Sequence, residues 1–127
     1  MVQNFLLVGL GGAIGSMARY GINVLMKNIN LPNYFSNFPL STFTINILGS
    51  FIIGVLFGLS LKQNWIQDWG WSLLAVGICG GFTTFSTFSL DNINLFQKET
   101  PIFALSYTGL SVILGIVFCK IGINIIK

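Results

Sequence analysis

The sequence predicts an all-α membrane protein: four transmembrane helices, the third of them broken, forming one four-span domain over residues 1–127. Three observations predict it. Hydrophobic residues make up 54% of the chain and charged residues only 7%, against about 25% charged in an ordinary soluble domain, and the mean hydropathy is +0.82. Four apolar segments each approach or exceed the roughly 20 helical residues needed to cross a hydrocarbon core. The third segment carries a Gly-Gly pair followed by a run of hydroxyls, a composition foreign to a continuous lipid-facing helix.

The first span is expected over about residues 5–26, glycine-rich and interrupted by Arg19. A polar linker with four asparagines and two prolines, residues 27–39, separates it from the second span over about 40–61. After a short loop, the third span is expected over about 69–90, with a loop from Asp91 to Thr100 closing it. Pro101 then suits the first turn of a helix, where its missing N–H costs nothing, and the fourth span follows over about 102–126. Trp65, Trp69 and Trp71 gather at one expected interface, as an aromatic belt does.

The same composition excludes several functions. The chain has no histidine, hence no imidazole for general-base work or metal ligation, and no enzymatic activity is expected. Cys79 and Cys119 lack a CxxC spacing and read as small packing residues. Six scattered basic residues form no tract for nucleic acid. No cleavable leader is expected, because no basic region precedes the first apolar stretch. With the N-terminus inside, Lys62, Lys120 and Lys127 fall on or near the inside and Arg19, Lys27 and Lys98 on or near the outside, so the positive-inside rule gives no orientation. Either some of these charges lie too deep to count, or the chain inserts both ways and two copies pair antiparallel.

Polar groups within the spans carry the functional signal. Gly54 and Gly58 form a GxxxG pair suited to close helix packing. Arg19 lies about 10 Å from the end of its span at 1.5 Å per residue; it either snorkels to the interface or stands as a positive charge in a vestibule. Asn46, near the middle of its span, needs partners that hydrocarbon cannot supply. It either bonds a neighbouring helix or donates to a passing anion.

In the third span, Gly80-Gly81 invites a helix break. Thr83 to Ser89 then holds five hydroxyls and two phenylalanines. Carbonyls freed around Gly80 and Thr83 would need a partner, and such carbonyls often hold a cation. Phe85 and Phe88 share a face, with Thr84 and Thr87 beside them, and Ser86 belongs to the same run. Aromatic edges are electropositive, so they can line an anion path without fixed charge, while hydroxyls and an amide replace water. Tyr107 and Ser111, four apart in the fourth span, extend the polar face. No acid falls within the expected spans, which argues against a cation path and favours anion conduction.

These motifs resemble a known family. Gly11-Gly12-Ala13-Ile14-Gly15-Ser16-Met17-Ala18-Arg19-Tyr20, Thr42-Phe43-Thr44-Ile45-Asn46-Ile47-Leu48-Gly49-Ser50-Phe51 and Gly80-Gly81-Phe82-Thr83-Thr84-Phe85-Ser86-Thr87-Phe88-Ser89 resemble the first-, second- and third-span signatures of the Fluc (CrcB-type) fluoride channels. The resemblance covers essentially the whole chain. It implies a passive fluoride channel of the bacterial inner membrane, built as an antiparallel, dual-topology homodimer with two pores. It also implies a structural Na⁺ at the dimer centre, held by the carbonyls of Gly80 and Thr83. By matching position, Phe85 and Phe88 are the pore phenylalanines, Asn46 the pore amide, Arg19 the vestibule residue, and Tyr107 and Ser111 part of the fourth-span polar track. The sequence departs at Asp91, where the family usually has glutamate, and at Gly115, where another hydroxyl is common. A small multidrug-type transporter is the rival reading, but it needs a carboxylate in the first span, and residues 5–26 contain none.

Overall fold

The computed structural model describes the backbone of residues 1–127 and every side chain except that of Tyr34. Four helical stretches are long and apolar enough to cross a membrane: Val2–Met26, Leu40–Ser60, Ile66–Lys98 and Pro101–Ile126. We call the first two α1 and α2. The third stretch is two helices: α3, residues 66–82, wound as a π-helix over Ile66–Cys79 and as an α-helix over Gly80–Phe82, and α4, Phe85–Lys98. The last is α5, Pro101–Ile126, with its proline in the first turn. A short 3₁₀ turn, Asn33–Phe35, lies in the linker before α2.

Two helix pairs form the bundle, α2 along α5 and α1 along α3. Glycine makes both seams close. A Cβ at Gly54 would collide with the Cys119 backbone, and one at Gly122 would stand 2.9 Å from Val55 N; Gly54 and Gly58 therefore act in packing against α5. In the other seam, a Cβ at Gly11 would sit 2.9 Å from Gly77 Cα, and one at Gly81 only 2.5 Å from the Gly12 carbonyl. Without a hydrophobic drive between helices in lipid, such contact supplies dispersion energy that larger side chains would hold off. Most of α1 and α5 remains uncovered, with Phe5, Leu6, Leu10, Ile113 and Ile116 outward, as suits a lipid-facing surface.

Two expectations change here. The break falls at Thr83 and Thr84, three residues beyond Gly80. Both threonines are extended, at φ −75°, ψ 158° and φ −148°, ψ 114°, whereas Gly80 is helical at φ −63°, ψ −38°. No residue described has positive φ, so Gly81 serves close approach to α1 and not a special backbone conformation. Second, the segment expected as a loop from Asp91 is helical as far as Lys98. Asp91 is thus an acid inside the third spanning stretch, where none was expected. Thr42 and Tyr107 are its polar neighbours.

Candidate functional site

The break in the third stretch is built by hydrogen bonds. Thr83 N–H and Thr83 Oγ1 both donate to the Cys79 carbonyl, at 2.9 Å each, and finish α3. In a continuous helix the next rung would join Thr84 N–H to the Gly80 carbonyl. Instead Thr84 N–H donates to Asn46 Oδ1 at 2.9 Å, and Asn46 Nδ2 donates to the Thr84 carbonyl at 3.0 Å. The amide of Asn46 thus pairs with the N–H and C=O of one residue, as a residue of a neighbouring antiparallel β-strand would. Asn46 therefore bonds the extended break beside its own helix, and one N–H of its two remains for another acceptor.

Thr84 then caps α4. Its Oγ1 accepts from Thr87 N–H at 3.2 Å and donates to Thr87 Oγ1 at 3.0 Å, with Ser86 Oγ 3.3 Å away. The N-terminus of a helix presents free N–H groups and a partial positive charge, a ready place for an anion. Here that N-terminus opens on a cavity of about 470 Å³. Asn46, Ser50, Gly80, Thr83, Thr84, Phe85, Phe88 and Ser111 are among the residues lining it, and none of its lining side chains is charged.

Aromatic rings continue from the cavity. The Phe85 and Phe88 centroids are 5.8 Å apart, Phe88 and Tyr107 5.4 Å, and Tyr107 and Phe38 5.5 Å with planes at 89°. Tyr107 is fully buried, in a cluster with Leu95 and Ala104. Its hydroxyl, Ser111 Oγ and Asp91 Oδ2 are each buried without a hydrogen-bond partner among the described residues. Tyr107 neighbours both Ser111 and Asp91, so the three form one polar file. Ser111 borders the first cavity. Asp91 borders a second, of about 430 Å³, also lined by Lys27, Phe38 and Thr42.

The structure therefore brings Asn46, Gly80, Thr83, Thr84, Phe85, Phe88 and Ser111 around one space, with Tyr107 behind Phe88. Ser86 and Thr87 are exposed on α4, and the Thr87 hydroxyl is tied to Thr84. Arg19 does not line the cavity. Its Nη1 donates to the Thr83 carbonyl at 3.3 Å, from the α1 side of the break. Sequence reasoning missed Ser50 and Phe38. Ser50 lies one turn beyond Asn46 on the same face, a spacing that could have found it. A Cβ at Gly115 would stand 3.4 Å from Ser50 Oγ, so α2 supplies a hydroxyl next to the position where the fourth span lacks one. Phe38 precedes Pro39 in the linker and left no periodic signal.

The donor set fits a hard monovalent cation in part. Gly80 has lost the Thr84 rung, and a carbonyl has two lone pairs, so Thr83 can accept from Arg19 and still offer one. Two oxygens from one chain are too few, and Gly80 is exposed, on a face that a second copy could cover. No cluster of three or more metal-ligating side chains occurs among the described residues, leaving backbone oxygen as the available ligand.

Fold and site together define a multi-pass α-helical membrane protein with an uncharged cavity at a helix break, apolar for the most part but bordered by an amide and several hydroxyls. A family model described as CrcB-like protein, Camphor Resistance (CrcB), matches residues 6–123, and the chain belongs to that family. It is 42% identical over 122 residues to a fluoride-specific ion channel FluC of Azobacteroides pseudotrichonymphae, covering 96% of this chain and 94% of that one. Its identity to the protein of the same name from Gloeothece citriformis is 45%, covering 96% and 95%. Against fluoride-specific ion channel FluC 1 of Listeria monocytogenes it is 41%, covering 96% of each.

Proposed function

We propose that this chain is a passive, fluoride-selective ion channel that lets fluoride leave the cytoplasm of a bacterium across its inner membrane. The observation that carries the reading is the uncharged cavity at the break, where amide, hydroxyl and helix N-terminal donors meet the Phe85 and Phe88 rings. A small, strongly hydrated anion needs many donors to replace its water. Fixed positive charge in the cavity would hold it too tightly to pass; donors and ring edges bind more weakly and release it. The family membership and the fluoride channels among its relatives support the choice of ion.

The pore is assigned to Asn46, Thr84, Ser86, Thr87, Phe85, Phe88, Tyr107 and Ser111, with Arg19 providing positive charge near its entrance. Phe85 is 79% exposed in the single chain, so a ring that lines a path must be covered by something further. A second copy, antiparallel, covers it, and the balanced placement of basic residues supports insertion in both orientations. In that homodimer the Gly80 and Thr83 carbonyls of both copies would hold a structural Na⁺, which would take the Gly80 carbonyl left by the missing rung and the lone pair of Thr83 that Arg19 does not use. Fluoride entering as neutral HF is trapped as the anion inside, and a passive path returns it down its gradient.

Purified protein in liposomes loaded with fluoride or chloride tests this, with a potassium ionophore balancing charge. Fluoride should leave and chloride should stay. Equal chloride release, or release only under a proton gradient as a drug transporter requires, would overturn the reading.

A further inference from the structure

We infer that Arg19 is a positioning residue, which caps the end of α3 and holds the helix break open. The inference deepens the proposed channel function and rests on it. Gly11, Gly15 and Arg19 are four residues apart and lie on one face of α1. A Cβ at Gly11 would meet Leu73, Gly77 and Ile78, and one at Gly15 would meet Ile78 and Phe82. The face therefore climbs α3 turn by turn in backbone contact, and the next position reaches Thr83, where α3 stops. There the glycine gives way to the longest donor side chain.

That exchange has a physical reason. The last carbonyls of a helix lose their intrahelical donors and carry partial negative charge. In water the solvent satisfies them, but within a membrane only the protein can. Arg19 is half-buried and its Nη1 lies 3.3 Å from the Thr83 carbonyl. Asn46 grips Thr84 from α2 on the next peptide. The extended pair Thr83–Thr84 is held from both flanks, by a cation at the carbonyl end and an amide beyond it. A snorkelling arginine would instead turn toward the span end. One acting only through its field would need no carbonyl partner.

The test compares Arg19→Met and Arg19→Lys with the unaltered protein in liposomes, reading fluoride efflux against fluoride concentration at two salt concentrations. Amide hydrogen exchange is followed across the chain in parallel. Positioning predicts that Arg19→Met lowers maximal efflux about tenfold, the scale of a lost charge-assisted hydrogen bond, and does so at both salts, in addition to any low-salt rise in half-saturating concentration from the lost entrance charge. It also predicts faster exchange over residues 83–86 with α2 and α5 unchanged, and recovery of both readouts in Arg19→Lys. Should Arg19→Met raise the half-saturating concentration at low salt only, with exchange at residues 83–86 unaltered, the positioning role is wrong and Arg19 acts through its field. Loss of α2 and α5 protection in both variants would equally overturn it, because the role would then be global. If the unaltered protein carries no fluoride, the channel reading fails, while the exchange readout still decides what Arg19 does to the break.

Discussion

Asn46→Asp replaces one side-chain atom and inverts one hydrogen bond. Oδ1 continues to accept from Thr84 N–H at 2.9 Å, but an oxygen takes the place of Nδ2, 3.0 Å from the Thr84 carbonyl. Two acceptors then face each other where a donor and an acceptor met, beside a residue only 7% exposed. Leaving a buried acceptor without its donor costs about 1–3 kcal/mol, more when the neighbour is charged, which corresponds to roughly 5- to 150-fold in an equilibrium constant. The carboxylate adds a negative charge on the wall of the cavity and removes the remaining free N–H. Initial fluoride efflux from liposomes should therefore fall by at least about tenfold. Asn46→Ser, which loses the pairing but adds no charge, should retain more. Amide exchange at residues 83–86 should quicken in both. If Asn46→Asp conducts at the native rate, or outperforms Asn46→Ser, then Asn46 neither holds the break nor faces the path.

Further outcomes follow from the same geometry. Phe85→Ile and Phe88→Ile keep bulk but remove the ring quadrupole, so efflux should fall in each; size-exclusion profiles should be unchanged for Phe85→Ile, whereas Phe88→Ile also loses its tilted ring contact with Tyr107, worth about 0.5–1.5 kcal/mol. Normal conduction in both would make the rings packing only. Gly81→Ala places a methyl 2.5 Å from the Gly12 carbonyl and should cost about 3 kcal/mol as backbone overpacking, seen as lost folded protein on heating in detergent. Gly9→Ala meets nothing within 4 Å and should be neutral. Tyr107→Phe deletes a hydroxyl that has no partner among the described residues. It should leave thermal stability within about 1 kcal/mol while efflux falls, and unaltered efflux would remove Tyr107 from the path.

The four spanning stretches were legible because hydropathy and length alone define a membrane helix, and Pro101 marked the start of α5. Of the residues singled out by their chemistry, Asn46, Thr84, Phe85, Phe88 and Ser111 line one cavity, whereas Ser86, Thr87, Tyr107 and Arg19 do not. The backbone of the site was not legible. The local signal for a break is glycine, so the expectation fell on Gly80-Gly81. The actual break lies where Asn46, 38 residues earlier in sequence, takes a peptide out of the helix, and a contact of that range leaves no local mark. Asp91 was expected to open a loop, yet the helix continues to Lys98, and the polar neighbours of the carboxyl, Thr42 and Tyr107, lie on other helices. The π-winding of residues 66–79 has no signature in residue type. The positions of Arg19 beside Thr83 and of Phe38 against Tyr107 likewise depend on how separate helices meet.

The central claim is that fluoride crosses this protein passively and to the exclusion of chloride. Planar-bilayer recording of the purified channel, with fluoride and chloride gradients varied independently, tests it most directly. For a passive pore carrying one monovalent ion, the reversal potential should move by about 59 mV per tenfold change in fluoride. It should not respond to chloride or to pH. A reversal potential that follows chloride or the proton gradient, or the absence of any fluoride current, would contradict the account.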